Sequence, residues 1–437
     1  MTGSIEYPPE LHLPETESIL DLDQSRSDHL RIYSLPECCW PDQTEVEGLL
    51  PNRSEKPIYS GLDAMVLDSF ALLRHRRFAL LTNATGRNFK LEAGLELMYA
   101  QGVGPALLLE PEHGLYGSED EIARGGLRRE ARYGTPIVSL YAQHKRPPER
   151  YLRDLDLIVV DIKNLPVRCY TYASTLTYIM EVAHRLKIEV MILDRSHPYG
   201  FFKTAGSFLD SRYRSFVGEA PLPFLYALSP GEYARYLQAV RLPQLRLSIV
   251  TVSNFERRAI DAAIRGAWIN PSPNIPSYES ALVYPGLVFL EGVNYSLGRG
   301  TTRPFIYSGA PWVESDRLLA RLQALQLPGV ELAELSFKPL SSNYAGQLSH
   351  GIQITPTSIY FDPIRTGYEY IRVLRHMYPA HFRYRRSSRG GYFIDQLWGS
   401  DEYRKAIENN LDYADFRASW QADSEAFDRI MAPLRLY

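Results

Sequence analysis

Between Phe78 and Val252 the chain sets out six short apolar runs, each closed by turn formers or by an acid. They are Phe78–Thr82, Leu107–Leu109, Pro136–Tyr141, Leu155–Asp161, Glu189–Asp194 and Leu245–Val252. Runs this short that are apolar throughout, rather than alternating, suit strands covered on both faces of a parallel sheet. Helical periodicity occupies the segments around them, at Gly61–Arg74, Leu91–Gln101, Ser174–Leu186 and Pro230–Val240, with a short helix at Pro147–Arg153. Ser229 as N-cap, Pro230 at the first helical position and Glu232 in the first turn mark one of these starts. Alternation of strand and helix predicts an α/β fold with a doubly wound, mostly parallel sheet.

In open sheets of this kind ligands bind outside the carboxyl ends of the strands. Asn83, Glu112, Tyr141, Asp161 and Asp194 all fall at or just beyond such ends. An acid in that position can equally cap a neighbouring helix, and both readings stay open. The second run is the most pointed, because it stops at Glu110-Pro111-Glu112-His113-Gly114 and so delivers acid and imidazole groups to a loop.

From Trp268 to Phe305 the texture changes to a stretch dense in Pro, Gly, Asn and Ser, which predicts a long structured loop region of functional use. Beyond it come a helix at Ser315–Leu325, strand-like runs at Leu332–Phe337 and His350–Thr355, and a helix at Gly367–Met377. This reads as a smaller α+β domain. The division expected is therefore an arm over 1–56, a catalytic domain over 57–309 and a C-terminal domain over 310–437.

Several classes of function are excluded. A net charge of −3 supplies no footprint for nucleic acid. Cys38, Cys39 and Cys169 have neither metal-type spacing nor the number for a disulfide framework, which fits a reducing compartment. No signal-peptide pattern opens the sequence and no apolar run of membrane-spanning length occurs, so a cytoplasmic location without membrane partners is expected. The turn Asn83–Arg87 lacks the glycines of a dinucleotide site, and no phosphate loop, serine-hydrolase elbow or zinc-protease helix is present. Neither a cofactor nor a metal is expected; oligomeric state stays open.

What remains is carboxylate, tyrosine and arginine chemistry on loops. Glycoside hydrolysis needs a protonated acid for the leaving oxygen and a second group facing the anomeric centre. Glu112 is the candidate acid, beside an apolar strand where desolvation favours the protonated form of a carboxyl group. His113 either donates a hydrogen bond or satisfies a core carbonyl. Arg168 in R-C-Y-T-Y and Arg299 in G-R-G-T-T suit fixed guanidinium groups, either for a ligand carboxylate or for loop carbonyls.

Longer motifs sharpen this. LLTNATG at 80–86, EPEHGLYG at 110–117, VDIKNLPVRCYTYASTL at 160–176, LDRSHPYG at 193–200, PSPNIP at 271–276 and ALVYPGLVFLEGVNYSLGRGTTRPF at 281–305 resemble, in order, segments of the exo-β-N-acetylmuramidase family. SLY at 139–141, SFVG at 215–218 and GAPW at 309–312 extend the likeness. The resemblance implies a Rossmann-like catalytic domain with a smaller C-terminal domain, and release of terminal N-acetylmuramic acid from peptidoglycan fragments. It places the acid on Glu112, with His113 and Asp161 beside it. Asn83, Tyr141, Arg168, Tyr170, Asp194, Arg195, Asn274, Glu291, Asn294 and Arg299 become candidate substrate contacts.

Departures from the family pattern accompany it. Asn164 stands where the family commonly has Asp, Leu297 where it has Glu, Ser196 and His197 replace Pro and Asn, and Leu225–Ser229 lacks an Arg-His pair. These changes leave two alternatives: a non-catalytic sugar-binding paralogue, or a glycosidase for a different amino sugar.

Overall fold

The computed structural model describes residues 29–34, 58–117, 127–141, 144–255, 257, 268–358 and 360–437. Its main sheet has eight strands: β1 (Leu30–Tyr33), β2 (Phe78–Thr82), β3 (Leu107–Glu110), β4 (Arg128–Arg129), β5 (Pro136–Ser139), β6 (Leu157–Asp161), β7 (Glu189–Leu193) and β8 (Leu247–Val250). They lie in the order β1-β8-β7-β6-β2-β3-β5-β4, and every neighbouring pair is parallel except β4 with β5. The chain runs from β2 outward to β3 and β5, then returns to β6 on the other side of β2. That reversal places the topological switch between β2 and β6, where Thr82 pairs with Asp161.

Each apolar strand feeds two cores. In β2, Ala79 and Leu81 join the cluster that includes Ile179, Val182 and Tyr233 from the helices Tyr172–Leu186 and Pro230–Val240. Phe78 and Leu80 face Leu62, Met65 and Met98 from the helices Gly61–Leu67 and Gly94–Ala100. Period-two alternation between two apolar layers is why these strands read as continuous apolar runs. The helix Pro230–Val240 begins as expected, with a capping box between Ser229 and Glu232.

Two expectations are corrected. Gly61–Arg74 is not one helix: it ends at Leu67, and Ser69 and Phe70 take left-handed backbone at φ 49° and 53° before a short 3-10 turn. The Trp268–Phe305 stretch is not all loop, because Tyr278–Leu287 is a helix that accommodates Pro285 and runs into a 3-10 turn at Val288–Gly292. Its apolar residues are buried all round, so no amphipathic pattern marked it.

This helix packs on the helix Pro363–Met377 with Gly286 against Gly367, where a Cβ on either would collide with the backbone opposite. It thus belongs structurally with the C-terminal unit. There β9 (Tyr307–Ala310), β10 (Val330–Phe337) and β11 (Ser349–Pro356) form an antiparallel sheet in the order β10-β11-β9. A division at 309/310 would cut through β9. From the expected arm, Leu30–Tyr33 joins the sheet edge beside β8, and most of 1–56 lies outside the described residues. No helix among the described residues is long and apolar enough to cross a membrane.

Candidate active site

The loop after β3 separates two acids of different fates. Glu110 is fully buried, ion-paired with Arg128 and bound by the Leu115 amide at 3.2 Å, so it fastens the loop to the sheet. Glu112, two residues on, is only half-buried. His113 and Gly114 follow with φ of 72° and 74°, two consecutive left-handed residues that turn the chain back sharply. For a histidine this costs energy and is found where surrounding structure imposes it, often at functional sites.

Glu112 is held from the neighbouring elements. Thr171, at the start of the helix Tyr172–Leu186, donates its hydroxyl to Glu112 Oε2 at 2.5 Å. Tyr172 places its hydroxyl 3.3 Å from the Glu112 carbonyl and 2.5 Å from that of Pro271, and receives the Asn83 amide at 2.9 Å. One tyrosine thereby knits the ends of β2 and β3 to the 271 loop. The Asn83 oxygen is occupied by Thr85, whose hydroxyl also receives the Lys163 amide. Asn83 is therefore a brace of the switch point.

Tyr141 reaches Glu112 from beyond β5; burial and the Glu112 carboxylate to which it hydrogen-bonds push its hydroxyl pKa up, and the fields of Arg299 and Glu291 also reach it. Arg299 donates to Glu291 Oε1 at 2.6 Å and lies over the Phe305 ring. Burial works to lower the Arg299 pKa, but Glu291 outweighs it and the guanidinium is held above its ordinary value, with Glu112 contributing. Glu112, Tyr141, Glu291 and Arg299 thus share one electrostatic environment. Tyr170 borders it, buried, edge-on to Tyr172 at 4.8 Å and to Tyr284 at 5.8 Å. Asn274 is half-buried on the 271 loop.

The other strand-end residues have internal partners. Asp161 is buried in an ion pair with Arg195, whose Nε donates to it at 2.6 Å while Nη1 takes the Arg87 carbonyl at 2.9 Å. Burial raises the Asp161 pKa, opposed by Arg195. Asp194 accepts from Ser229 at 2.7 Å, Gly231 at 2.8 Å and Tyr437 at 2.8 Å, capping the helix Pro230–Val240, and burial pushes its pKa up to about 6. Asn294 is spent on the backbone of His381 and Arg383.

Arg168 takes the loop-tying alternative. It is buried and donates to the carbonyls of Ser207, Leu222 and Trp398, and burial without a carboxylate partner lowers its pKa to about 9. The Cys169 thiol is likewise buried, its pKa pushed up to about 12. Among the described residues no group of three or more His, Cys, Asp or Glu side chains is arranged to hold a metal ion.

Comparison with known proteins decides the family. The N-terminal profile of the exo-β-N-acetylmuramidase NamZ matches residues 78–279 and the C-terminal profile residues 282–437. The chain belongs to the exo-β-N-acetylmuramidase family, and with it to the glycoside hydrolases. It is 32% identical over 387 residues to the peptidoglycan β-N-acetylmuramidase NamZ of Bacillus subtilis, covering 88% of this chain and 92% of the relative. Two crystal structures of DUF1343 family proteins from Bacteroides fragilis share the fold. One has a TM-score of 0.79 at 29% identity, the other 0.69 at 26%, each covering 87% of this chain and 99% of the other. The two profiles meet at 279–282, within the first turn of the helix Tyr278–Leu287 that packs with the C-terminal unit.

Within this exo-β-N-acetylmuramidase family member, two of the departures touch each other. Asn164 donates to the Tyr226 hydroxyl at 2.8 Å, and both are buried. Leu297 is buried as well, among apolar residues. His197 is buried edge-on to Phe255, its pKa well below the ordinary value through burial, with the Arg257 charge adding to it. Sequence reading missed Thr171, Lys145 and Phe216, and also Arg389, which arrives from the C-terminal unit. For Arg389 a signal existed in the density of arginines at 383–389 just before Gly390-Gly391.

Proposed function

We propose that the chain hydrolyses terminal N-acetylmuramic acid from peptidoglycan fragments, with Glu112 as the general acid. The observation that carries this reading is the half-buried Glu112 at the strand ends, oriented by Thr171 and sharing its surroundings with Tyr141 and the Glu291–Arg299 pair. The hydroxyls of Thr171 and Tyr141 fix the orientation of a carboxyl group that stays half-exposed towards the glycosidic oxygen. In the reaction the bond between the anomeric carbon and the leaving oxygen breaks, Glu112 gives that oxygen a proton, water's oxygen replaces it at carbon, and the proton water loses restores the Glu112 acid. Glu291, held in place by Arg299, is the second carboxylate facing the anomeric centre. Asp161 and Arg195 form a buried structural pair behind the switch point, and His113 and Asn274 border the sugar.

The test is hydrolysis of a chromogenic N-acetylmuramide and of the muramyl-glucosaminyl disaccharide, with Glu112→Gln alongside. Turnover lost in the variant, by about 10²- to 10⁴-fold, supports the proposal. An inactive wild type that still binds the disaccharide replaces it with the sugar-binding alternative, and faster cleavage of an N-acetylglucosaminide replaces it with a different sugar.

A further inference from the structure

Cations from both units gather at one side of the Glu112 cleft. Lys145, on the segment after Tyr141, holds its ammonium 4.3 Å from the centroid of Phe216, and Phe216 lies 5.8 Å from Tyr141. The charged groups whose fields reach Lys145 are Glu112 and Arg389. Arg389 belongs to the stretch Arg383-Tyr384-Arg385-Arg386-Ser387-Ser388-Arg389 of the C-terminal unit.

That stretch is anchored at both ends to the site. At one end the Arg385 amide donates to the Gly292 carbonyl at 2.8 Å and its guanidinium reaches the Glu291 carbonyl at 3.4 Å. At the other, Arg389 donates to the Arg214 carbonyl at 2.7 Å, one residue before Ser215-Phe216. Ser387 builds the turn between, receiving the Arg389 amide at 3.1 Å and Gln396 at 2.6 Å, and Gly390 and Gly391 complete it at φ 89° and 69°. Arg389 is exposed, and its guanidinium donates to a carbonyl. Lys145, also exposed, meets a ring face.

Beneath the turn is a cavity of about 340 Å³ lined by Arg389, Tyr213, Tyr392, Gln396 and the Arg404–Asp395 pair. Of the two cations only Arg389 lines this cavity, and the turn holds its guanidinium at the Arg214 carbonyl beside Ser215-Phe216, where a planar fork suits an acidic substituent.

We propose that Lys145 and Arg389 form a carboxylate-reading subsite of the cleft, shared between the two units, which selects muramyl over neutral amino sugars. The inference rests on the glycosidase reading above. The carboxylate has two possible sources: the lactyl group of the terminal muramyl residue, or that of the next muramyl residue along the glycan.

The experiment compares wild type, Lys145→Met and Arg389→Gln on a chromogenic N-acetylmuramide, the matching N-acetylglucosaminide and a tetrasaccharide with two muramyl residues. Both residues are exposed, and thermal unfolding confirms that the variants fold. The ratio of kcat/KM for acidic over neutral substrate is expected to fall about 10- to 100-fold, chiefly through KM, as charge-assisted hydrogen bonds are lost. A fall on the monosaccharide assigns the terminal carboxylate, and a fall confined to the tetrasaccharide assigns the next one. Equal loss on acidic and neutral substrates, or no change in the ratio, overturns the subsite. Where wild type cleaves nothing, the glycosidase reading fails by itself. Equilibrium binding of N-acetylmuramic acid against N-acetylglucosamine then judges the subsite: an acid preference lost in the variants supports it, and no preference in wild type overturns it.

Discussion

Glu112 and Asp161 leave the same sheet at the same edge, yet their surroundings differ. Asp161 has its charge answered by a buried arginine that is itself braced by the Arg87 carbonyl. Glu112 is half-buried and meets hydroxyl groups, from Thr171 and Tyr141, rather than a buried ion-pair partner. Position at a strand end therefore does not by itself set an acid's surroundings: Glu112 stays accessible and oriented, as the proposed general acid needs, while Asp161 is met by an internal charge. Substitution should separate the two. Glu112→Gln is expected to lose turnover by about 10²- to 10⁴-fold with little change in thermal unfolding. Asp161→Asn strands Arg195 in the interior and is expected to destabilise by about 3 to 5 kcal/mol, while the folded fraction keeps most of its turnover. Equal losses of turnover at equal stability would erase the distinction.

The two arginines sharpen the same contrast. Arg299 pairs with a carboxylate at the cleft, whereas Arg168 joins three carbonyls from segments at Ser207, Leu222 and Trp398. Removing Arg168 takes its donor from the Ser207 and Trp398 oxygens, while the Leu222 carbonyl keeps the Leu209 amide at 3.2 Å. Arg168→Ala is expected to cost at least about 3 kcal/mol of stability, read as a lowered midpoint in urea unfolding. The affinity of the protein that remains folded for N-acetylmuramic acid should stay near that of wild type. A specific loss of acidic-sugar affinity without destabilisation would return Arg168 to the list of substrate contacts.

The parallel sheet was legible because both of its faces are apolar, which leaves unbroken apolar runs in sequence. The helix Tyr278–Leu287 was not, since burial on all sides removes the amphipathic stripe and Pro285 reads as a breaker. Among site residues, Glu112 stood out by its place after β3, and Glu291 and Arg299 through family motifs. Whether Arg168 meets a ligand or a carbonyl depends on segments more than 200 residues away, as Trp398 shows, and no local pattern encodes that. Lys145 escaped notice for the same reason, and the arginine density at 383–389 marks a basic stretch without showing that the Arg389 charge reaches Lys145.

The smallest expected effect concerns Asp194, which closes the comparison from the buried side. Its carboxyl is pushed from the ordinary 3.8 up to about 6, first by burial and against the donors Ser229, Gly231 and Tyr437. A folded-state pKa above the unfolded one means that the native state binds the proton more tightly. The associated stability is fully present below about pH 4 and is lost as pH rises through about 6, on the order of 3 kcal/mol in all. Asp194→Asn removes this titration and adds a constant offset from misdirected amide hydrogens. The midpoint difference between variant and wild type should therefore shift in the variant's favour from pH 4 to pH 7. A difference that stays flat across that range would mean that these donors, with the Arg195 amide at 2.9 Å, hold Asp194 ionised in the fold, and that its burial is fully compensated.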